Sequence, residues 1–224
     1  MCIRDRLEKG MTRINVKLKA TEETEINGAG PEINSDALQQ LFLKLDRLKK
    51  GDYLVLAGSI PKSMPSDIYE KIMERLQNKG IMFVVDATKG LLLNVLKYKP
   101  FLIKPNNHEL GEMFGVQLKS DDEIVHYAEK LQEMGAKNVV VSMAGDGAML
   151  VDSNGAVTKI GVPKGKVVNS VGAGDSMVAG FIAGYTETGD YSYSLRLGSA
   201  AGSATAFSEG LATKEEIFEL INKF

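Results

Sequence analysis

The residues best suited to chemistry lie in a segment of small residues, 169–180 (Asn-Ser-Val-Gly-Ala-Gly-Asp-Ser-Met-Val-Ala-Gly). Small residues before a helix let backbone N–H groups converge at its positive end, where a phosphate or a developing anion is stabilised. Asp175 falls in the first helical turn, where it could accept a proton from a hydroxyl that attacks a γ-phosphate. An acidic residue there also complements the helix dipole, so the segment alone leaves both roles open.

This segment is not one of the two common nucleotide motifs. It lacks the Lys-Ser/Thr pair of a Walker A loop, and Met177 stands where a dinucleotide fingerprint has its third glycine. The segment therefore has to be judged with the rest of the chain.

Short apolar runs of strand length alternate with helical patterns through the middle of the chain. The runs are residues 53–57, 82–85, 101–103 and 139–141. Such alternation predicts a parallel sheet covered by helices on both faces. Capping boxes are predicted at Ser120 and Thr213, each followed by a glutamate three residues later.

The remaining segments have other patterns. Residues 12–20 and 24–27 alternate apolar and polar side chains, which predicts a half-exposed antiparallel hairpin. Apolar residues at helical spacing then predict a helix from Asn34 that is closed by Gly51. Residues 148–151, flanked by Asp-Gly and Asn-Gly, predict a β-meander attached to the parallel sheet, and the chain from residue 174 onward is predicted to be largely helical.

Composition excludes several classes of partner. Lysine plus arginine (27) nearly balance aspartate plus glutamate (29), so no broad basic surface for nucleic acid or anionic membrane is expected. The single cysteine, Cys2, excludes an internal disulfide and a cysteine-based zinc site, which fits a reducing compartment. No apolar run approaches the roughly 20 residues of a membrane span. We therefore expect a cytoplasmic protein.

Residues 169–180 as a whole resemble the signature of the PfkB/ribokinase family of sugar-phosphate kinases. Residues 104–109 (Lys-Pro-Asn-Asn-His-Glu) resemble the family's Lys-Pro-Asn-x-x-Glu element, and residues 141–148 (Val-Ser-Met-Ala-Gly-Asp-Gly-Ala) its nucleotide-binding turn. The resemblance implies an α/β protein of ribokinase-like, three-layer α/β/α architecture, with a mostly parallel central sheet and a partial β lid. It also implies a kinase that uses ATP and Mg²⁺.

The resemblance gives roles to the matching residues. Asp175 would be the catalytic base, and the turn before it would form the anion hole through Gly172, Ala173 and Gly174. Asn106 and Glu109 would organise Mg²⁺ through water, although Asn106 or Asn107 could instead cap the following helix. The implied ATP-binding residues are Lys104, Ser142, Gly145, Gly147 and Ser203.

On the sugar side, residues 12–16 and 57–61 resemble elements of the family's phosphosugar branch. Arg13 and Ser59 would contact the phosphate already on the substrate, and an arginine fork suits that task. Without the family context, Arg13 would be a solvated residue on a ribbon.

Residues 13–19, 23–31 and 163–166 are most similar to bacterial fructose-1-phosphate kinases. This implies phosphorylation of fructose 1-phosphate at its 6-hydroxyl. A kinase for tagatose 6-phosphate or another phosphosugar, and an inactive ATP-binding fragment, remain alternatives.

The resemblance extends from about Gly10 to the C-terminus. Residues 1–9 are expected to be non-native or disordered, and residues 10–224 to form an incomplete PfkB-type domain with its lid ribbon at about residues 12–30. The family's N-terminal portion, with early strands of the sheet, has no counterpart here, so the activity of these 224 residues alone stays open. In full-length family members the lid often forms the dimer contact, which implies a homodimer.

Overall fold

A computed structural model describes residues 10–19 and 23–224 of the protein. The chain divides into two compact units, Met1–Leu54 with Gly58–Met82, and Val55–Ala57 with Phe83–Phe224. The expectation for residues 1–9 lies outside the described residues.

The first unit contains a β-ribbon and two helices. Strands β1 (Asn15–Lys19) and β2 (Glu23–Asn27) pair antiparallel, with Val16 opposite Ile26. Helix α1 spans Ser35–Leu45 and helix α2 spans Ile68–Leu76. The pairing confirms the predicted hairpin, while its connection at residues 20–22 lies outside the described residues.

Helix α1 ends earlier than its apolar spacing predicts. The predicted end at Gly51 is wrong, because the helix stops at Leu45 and the chain turns at Asp46. Arg75 donates two hydrogen bonds to the Asp46 carboxylate (2.8 and 2.6 Å), which lowers the pKa of that group, and Lys79 donates to the Asp46 carbonyl oxygen (2.6 Å). These partners lie 29 and 33 residues further along the chain, so local spacing does not reveal them.

The second unit contains most of a six-stranded sheet, in which the strands lie side by side in chain order. The central strands β4, β5 and β6 run parallel, and β6, β7 and β8 form an antiparallel meander. The predicted parallel strands and meander are both confirmed. The strands are β3 (Tyr53–Ala57), β4 (Met82–Asp86), β5 (Leu102–Ile103), β6 (Asn138–Ser142), β7 (Ala148–Val151) and β8 (Val157–Ile160).

Helices connect and flank these strands. Thr213 and Glu216 form a complete capping box, as predicted, whereas the Glu123 side chain accepts a hydrogen bond from the N–H of Lys119 instead of Ser120. In the described part of the chain, no helix is long and apolar enough to cross a membrane. The helices are α3 (Lys89–Val95), α4 (Asn107–Phe114), α5 (Asp121–Glu133), α6 (Ala173–Thr188), α7 (Tyr191–Phe207) and α8 (Lys214–Ile221).

Helices α6 and α7 pack backbone against backbone through glycines. A Cβ added to Gly180 would lie 2.8 Å from the Leu197 carbonyl oxygen, and one added to Gly198 would lie 2.7 Å from the Met177 carbonyl oxygen. Such contacts are closer than side-chain packing allows, so substitution at either glycine would force the helices apart. The helical part of the segment singled out by its small residues is therefore packed closely against α7.

Candidate active site

Two charged residues lie side by side at the carboxyl edge of the parallel strands. Asp86 ends β4, and Lys104 directly follows β5. Because Val85 pairs with Ile103 in a parallel register, the next residues on the two strands are neighbours. Ligands of open α/β sheets bind at this edge, so the position itself marks a candidate site.

Lys104 is buried and points toward the start of α6. Its side chain is 9% exposed, and its Nζ lies 3.3 Å from Asp86 Oδ2. A Cβ added to Gly174 would lie 3.2 Å from that Nζ, so the ammonium rests against the first turn of α6. The structure thus brings together Lys104 and the predicted anion hole, which are 70 positions apart.

Asp86 is a site residue that sequence reasoning missed. Burial raises the pKa of its carboxyl, the negative charges of Asp175 and Glu109 raise it further, and the ammonium of Lys104 opposes the shift. Four charged residues therefore act on one another at this edge. The available signal was the ending of an apolar strand run on an aspartate (Phe-Val-Val-Asp), beside a strand followed by lysine.

The first turn of α6 has free hydrogen-bond donors. Gly172 occupies the N-cap in a left-handed conformation (φ 83°) and has no side chain to cap the helix. The N–H of Ala173 donates to the Ser170 carbonyl oxygen (3.2 Å), whereas those of Gly174 and Asp175 have no acceptor among the described residues. Two free donors at a positive helix end suit an anion, so the geometry here is compatible with the predicted anion hole at residues 172–174 and extends it to the N–H of Asp175.

Asn106 and Glu109 bond to each other across the start of α4. Asn106 Oδ1 accepts from the Glu109 N–H and Glu109 Oε2 accepts from the Asn106 N–H, both at 2.8 Å. This is the capping alternative that the sequence left open, and it occupies one carboxylate oxygen of Glu109. Across residues 10–19 and 23–224, no group of three or more His, Cys, Asp or Glu side chains could hold a metal ion.

A cavity of about 660 Å³ lies beside this edge. Its walls come from the turn after β6, the starts of α4 and α6, and one face of α7. Lys104, Glu109 and Asp175 do not line it. They adjoin residues that do, since Lys104 rests against Gly174 and Glu109 bonds to Asn106. The predicted residues that do line it are Asn106, Ser142, Gly145, Gly147, Ala173, Gly174 and Ser203.

The deep wall of the cavity offers an unsatisfied hydroxyl. Ser199 is 3% exposed, and its Oγ has no hydrogen-bond partner among the described residues. Buried hydroxyls are nearly always hydrogen-bonded in folded proteins. This hydroxyl is therefore available to a polar ligand in the cavity, which the glycine-rich turn at residues 145–147 also lines.

Arg13 and Ser59 meet in the first unit. Arg13 Nη1 donates to Ser59 Oγ (2.8 Å), and Arg13 Nε donates to Asn15 Oδ1 (3.0 Å). Both contacts are at the surface, so the guanidinium remains open to a further anionic ligand. The structure therefore joins the two residues that the sequence assigned to a substrate phosphate, without testing that role.

Comparison with known protein families matches residues 5–217 to the pfkB family of carbohydrate kinases. The chain belongs to this family. Among its curated relatives, the 1-phosphofructokinase of Bacillus subtilis is 53% identical over 213 residues, which cover 95% of this chain and 70% of that protein. The D-tagatose-1-phosphate kinase of Bacillus licheniformis is 38% identical over 205 residues, 91% of this chain and 67% of that protein.

Solved structures confirm the fold expected of a pfkB kinase. The tetrameric inhibited form of phosphofructokinase-2 from Escherichia coli superposes with a TM-score of 0.83 at 29% identity, over 96% of this chain and 71% of that one. Arabidopsis thaliana ribokinase superposes with a TM-score of 0.76 at 21% identity, over 96% and 70% of the two chains. The fold is therefore ribokinase-like.

Proposed function

We propose that this pfkB kinase transfers the γ-phosphate of ATP to the 6-hydroxyl of fructose 1-phosphate, which gives fructose 1,6-bisphosphate. The observation that carries the proposal is the start of α6, where one turn holds two free N–H groups and Asp175, and the Lys104 ammonium packs against it. Donors aimed at a developing negative charge, with a base beside them, suit phosphoryl transfer. The 53% identity to a 1-phosphofructokinase favours this acceptor.

Asp175 would act as the base within this turn. Its carboxylate accepts the proton of the attacking hydroxyl, and the N–H groups of Gly174 and Asp175 bind the oxygens of the phosphoryl group that is transferred. Lys104 adds a positive charge on the same side. Because this chemistry depends mainly on placement, a helix start fixed by backbone packing is well suited to it.

ATP would occupy the cavity beside the charged edge. The free Ser199 hydroxyl and Ser203 would face the adenine base of ATP on the α7 side of the cavity. In the turn that holds Gly145 and Gly147, the absence of side chains would let the protein backbone approach the nucleotide. Gly174 lines the same cavity and lies against Lys104. The phosphate chain of ATP, extended from the cavity past Gly174, would therefore reach the anion hole.

Mg²⁺ fits the charge balance of this edge. Three carboxylates, those of Asp86, Glu109 and Asp175, act there against one ammonium, so a cation is favoured. The ion would neutralise charge on the transferred phosphate. Glu109 is proposed to reach it through water, because one of its oxygens is held in the capping box.

Glu109→Gln separates the metal role from the capping role. Glutamine at this position can still complete the box, but it removes the negative charge. We expect the Mg²⁺ concentration for half-maximal rate to rise several-fold, and more than the KM for the sugar phosphate. Steady-state rates over a magnesium titration measure this.

The matched control is Glu216→Gln, which makes the same change in the capping box of α8. It should leave the magnesium curve unchanged. If the Glu109 and Glu216 variants behave alike, Glu109 only caps α4.

Tagatose 1-phosphate is a second candidate acceptor, because a D-tagatose-1-phosphate kinase is 38% identical to this chain. Fructose and tagatose differ only in configuration at C4, so Arg13 and Ser59 could hold the 1-phosphate of either sugar. We propose fructose 1-phosphate as the better substrate.

The test is a panel of phosphosugars with the purified protein and MgATP, with ADP release and the bisphosphate product both followed. We expect the highest kcat/KM with fructose 1-phosphate, and lower values with tagatose 1-phosphate, tagatose 6-phosphate and fructose 6-phosphate. A preference for a tagatose phosphate would replace the proposed acceptor. ATP binding without turnover on any sugar would favour the alternative of an ATP-binding fragment.

A homodimer through the ribbon is also proposed. One face of the ribbon is apolar and exposed: Ile14 (62%), Val16 (41%), Leu18 (50%) and Ile26 (57%). A relative of the same fold is known in a tetrameric form. Exposed apolar faces of this kind mark association sites, and a second copy of the chain offers a matching one.

Val16→Asp should therefore shift the protein from dimer to monomer in sedimentation analysis, since it places a charge at the centre of this face. Leu43→Asp is the control, because Leu43 is similarly exposed (48%) but lies on α1. The proposal fails if the unsubstituted protein is a monomer at micromolar concentration, or if both variants stay dimeric.

A further inference from the structure

Asp86 and Lys104 form a largely buried ion pair, which bears on the position of the ammonium as well as on its charge. Lys104 is almost fully buried, and Asp86 is its ion-pair partner at 3.3 Å. A lysine ammonium sits on a flexible stem of four carbons, so its position depends on what holds it. Here the parallel register of β4 and β5 fixes the Asp86 backbone beside that of Lys104.

Other carboxylates compete for the same ammonium. Asp175 follows Gly174, against which the Lys104 Nζ rests. The charges of Asp175 and Glu109 are also close enough to Asp86 to disfavour its ionised form. Without Asp86, Asp175 is the counter-charge on the turn where the ammonium already rests, whereas Glu109 lies at the start of α4 with one carboxylate oxygen in its capping bond.

An ion pair between Lys104 and Asp175 would oppose the reaction. A carboxylate that accepts a charge-assisted hydrogen bond from an ammonium is a weaker base and is turned away from a substrate hydroxyl. The same movement would withdraw the ammonium from the phosphates. The position of one lysine therefore decides whether the base is free.

We propose that Asp86 is a positioning residue that holds the Lys104 ammonium beside Gly174 and so keeps it from pairing with Asp175. This inference rests on the proposed function, because it takes Asp175 to be the base. Asp86 itself does not touch substrate in this role. It acts entirely through Lys104.

The kinetic test is a double-mutant cycle of Asp86→Asn and Lys104→Met, with fructose 1-phosphate and MgATP. A hydrogen bond to a charged group corresponds to roughly a tenfold effect or more. We expect Asp86→Asn to lower kcat about tenfold with little change in the KM for fructose 1-phosphate. In the Lys104→Met background, the same substitution should change kcat less than about twofold, because no ammonium is left to block the base.

The matched control is Asp121→Asn. It breaks a surface ion pair with Lys159 (2.6 Å) and should leave kcat unchanged, because exposed pairs contribute little. If the effects of Asp86→Asn and Lys104→Met simply multiply, Asp86 acts independently of Lys104, for example on the metal ion, and the proposal is overturned.

A crystal structure of the Asp86→Asn protein tests the same idea without turnover. The expected result is Lys104 Nζ within 4 Å of an Asp175 carboxylate oxygen, and an ammonium that stays against Gly174 would overturn the proposal. If Asp86→Asn does not fold, Asp86→Ser, which also removes the carboxylate, replaces it, and the outcomes are judged in the same way. A parent protein that turns over no phosphosugar refutes the proposed function, whereas the position of Lys104 in the crystal still decides this inference.

Discussion

Asp175→Asn should lower kcat by about 10²-fold or more, the usual scale for loss of a general base. Asparagine has nearly the same shape and keeps most contacts at the start of α6, but it cannot take the proton of the attacking hydroxyl. ATP affinity and the folded structure should change little. Steady-state kinetics, with ATP binding followed by calorimetry, separate these quantities.

The competing explanation for Asp175 is favourable interaction with the helix dipole, and a second aspartate tests it. Asp122 occupies the first turn of α5 and is not among the charged groups that act on Asp86. Asp122→Asn removes the same dipole interaction, which is a small stability effect in both helices, and should leave kcat unaltered. A kcat near that of the parent in the Asp175 variant would show that the residue only stabilises α6.

Gly147→Ala should destabilise the protein by about 3 kcal/mol or more. Gly147 has φ 92° and ψ −136°, a conformation that residues with a side chain rarely adopt. An added Cβ would lie 1.9 Å from the Ile160 carbonyl oxygen and 2.8 Å from the Gly161 Cα, which are backbone atoms of the neighbouring strand and its end. Backbone strain and overpacking each typically cost about 1–3 kcal/mol.

Denaturant titration of Gly147→Ala measures this loss, and a fall in Tm of roughly 6–12 °C is expected for a chain of this size. Gly145→Ala is the control in the same turn. Gly145 is not one of the glycines with a positive φ, and its added Cβ would meet nothing within 4 Å. Equal stability of the two variants would mean that the turn after β6 relaxes freely, in contrast to the described geometry.

Most of the fold could be predicted from local sequence pattern. The apolar runs of β4, β5 and β6, and the meander marked by Asp-Gly and Asn-Gly, appear where they are expected because buried strands need contiguous apolar residues. The end of α1 could not be predicted in this way. At that end, Asp46 bonds to Arg75 and Lys79, which are brought near only by folding.

The candidate site also combines residues with a local sequence signal and residues placed only by folding. The glycines and Asp175 could be singled out because the segment they form has a local signature, whereas the aspartate that ends β4 is a weak signal until the register of β4 against β5 places Asp86 beside Lys104. Asn106 and Glu109 have a spacing that suits both a capping box and a metal site. The structure shows the capping bonds, and the magnesium role stays a prediction.

The glycine contacts between α6 and α7 bear on how this protein moves. With backbone touching backbone at Gly180 and Gly198, neither helix can slide or tilt without a clash, so the amides in the middle of α6 should exchange with solvent only when the whole unit unfolds. We expect adjustment to arriving ligands in the loop of residues 161–171 instead, because it is not helical and exposes Val162, Val167, Val168 and Val171. The start of α6 would then keep its position, while the preceding loop would change conformation.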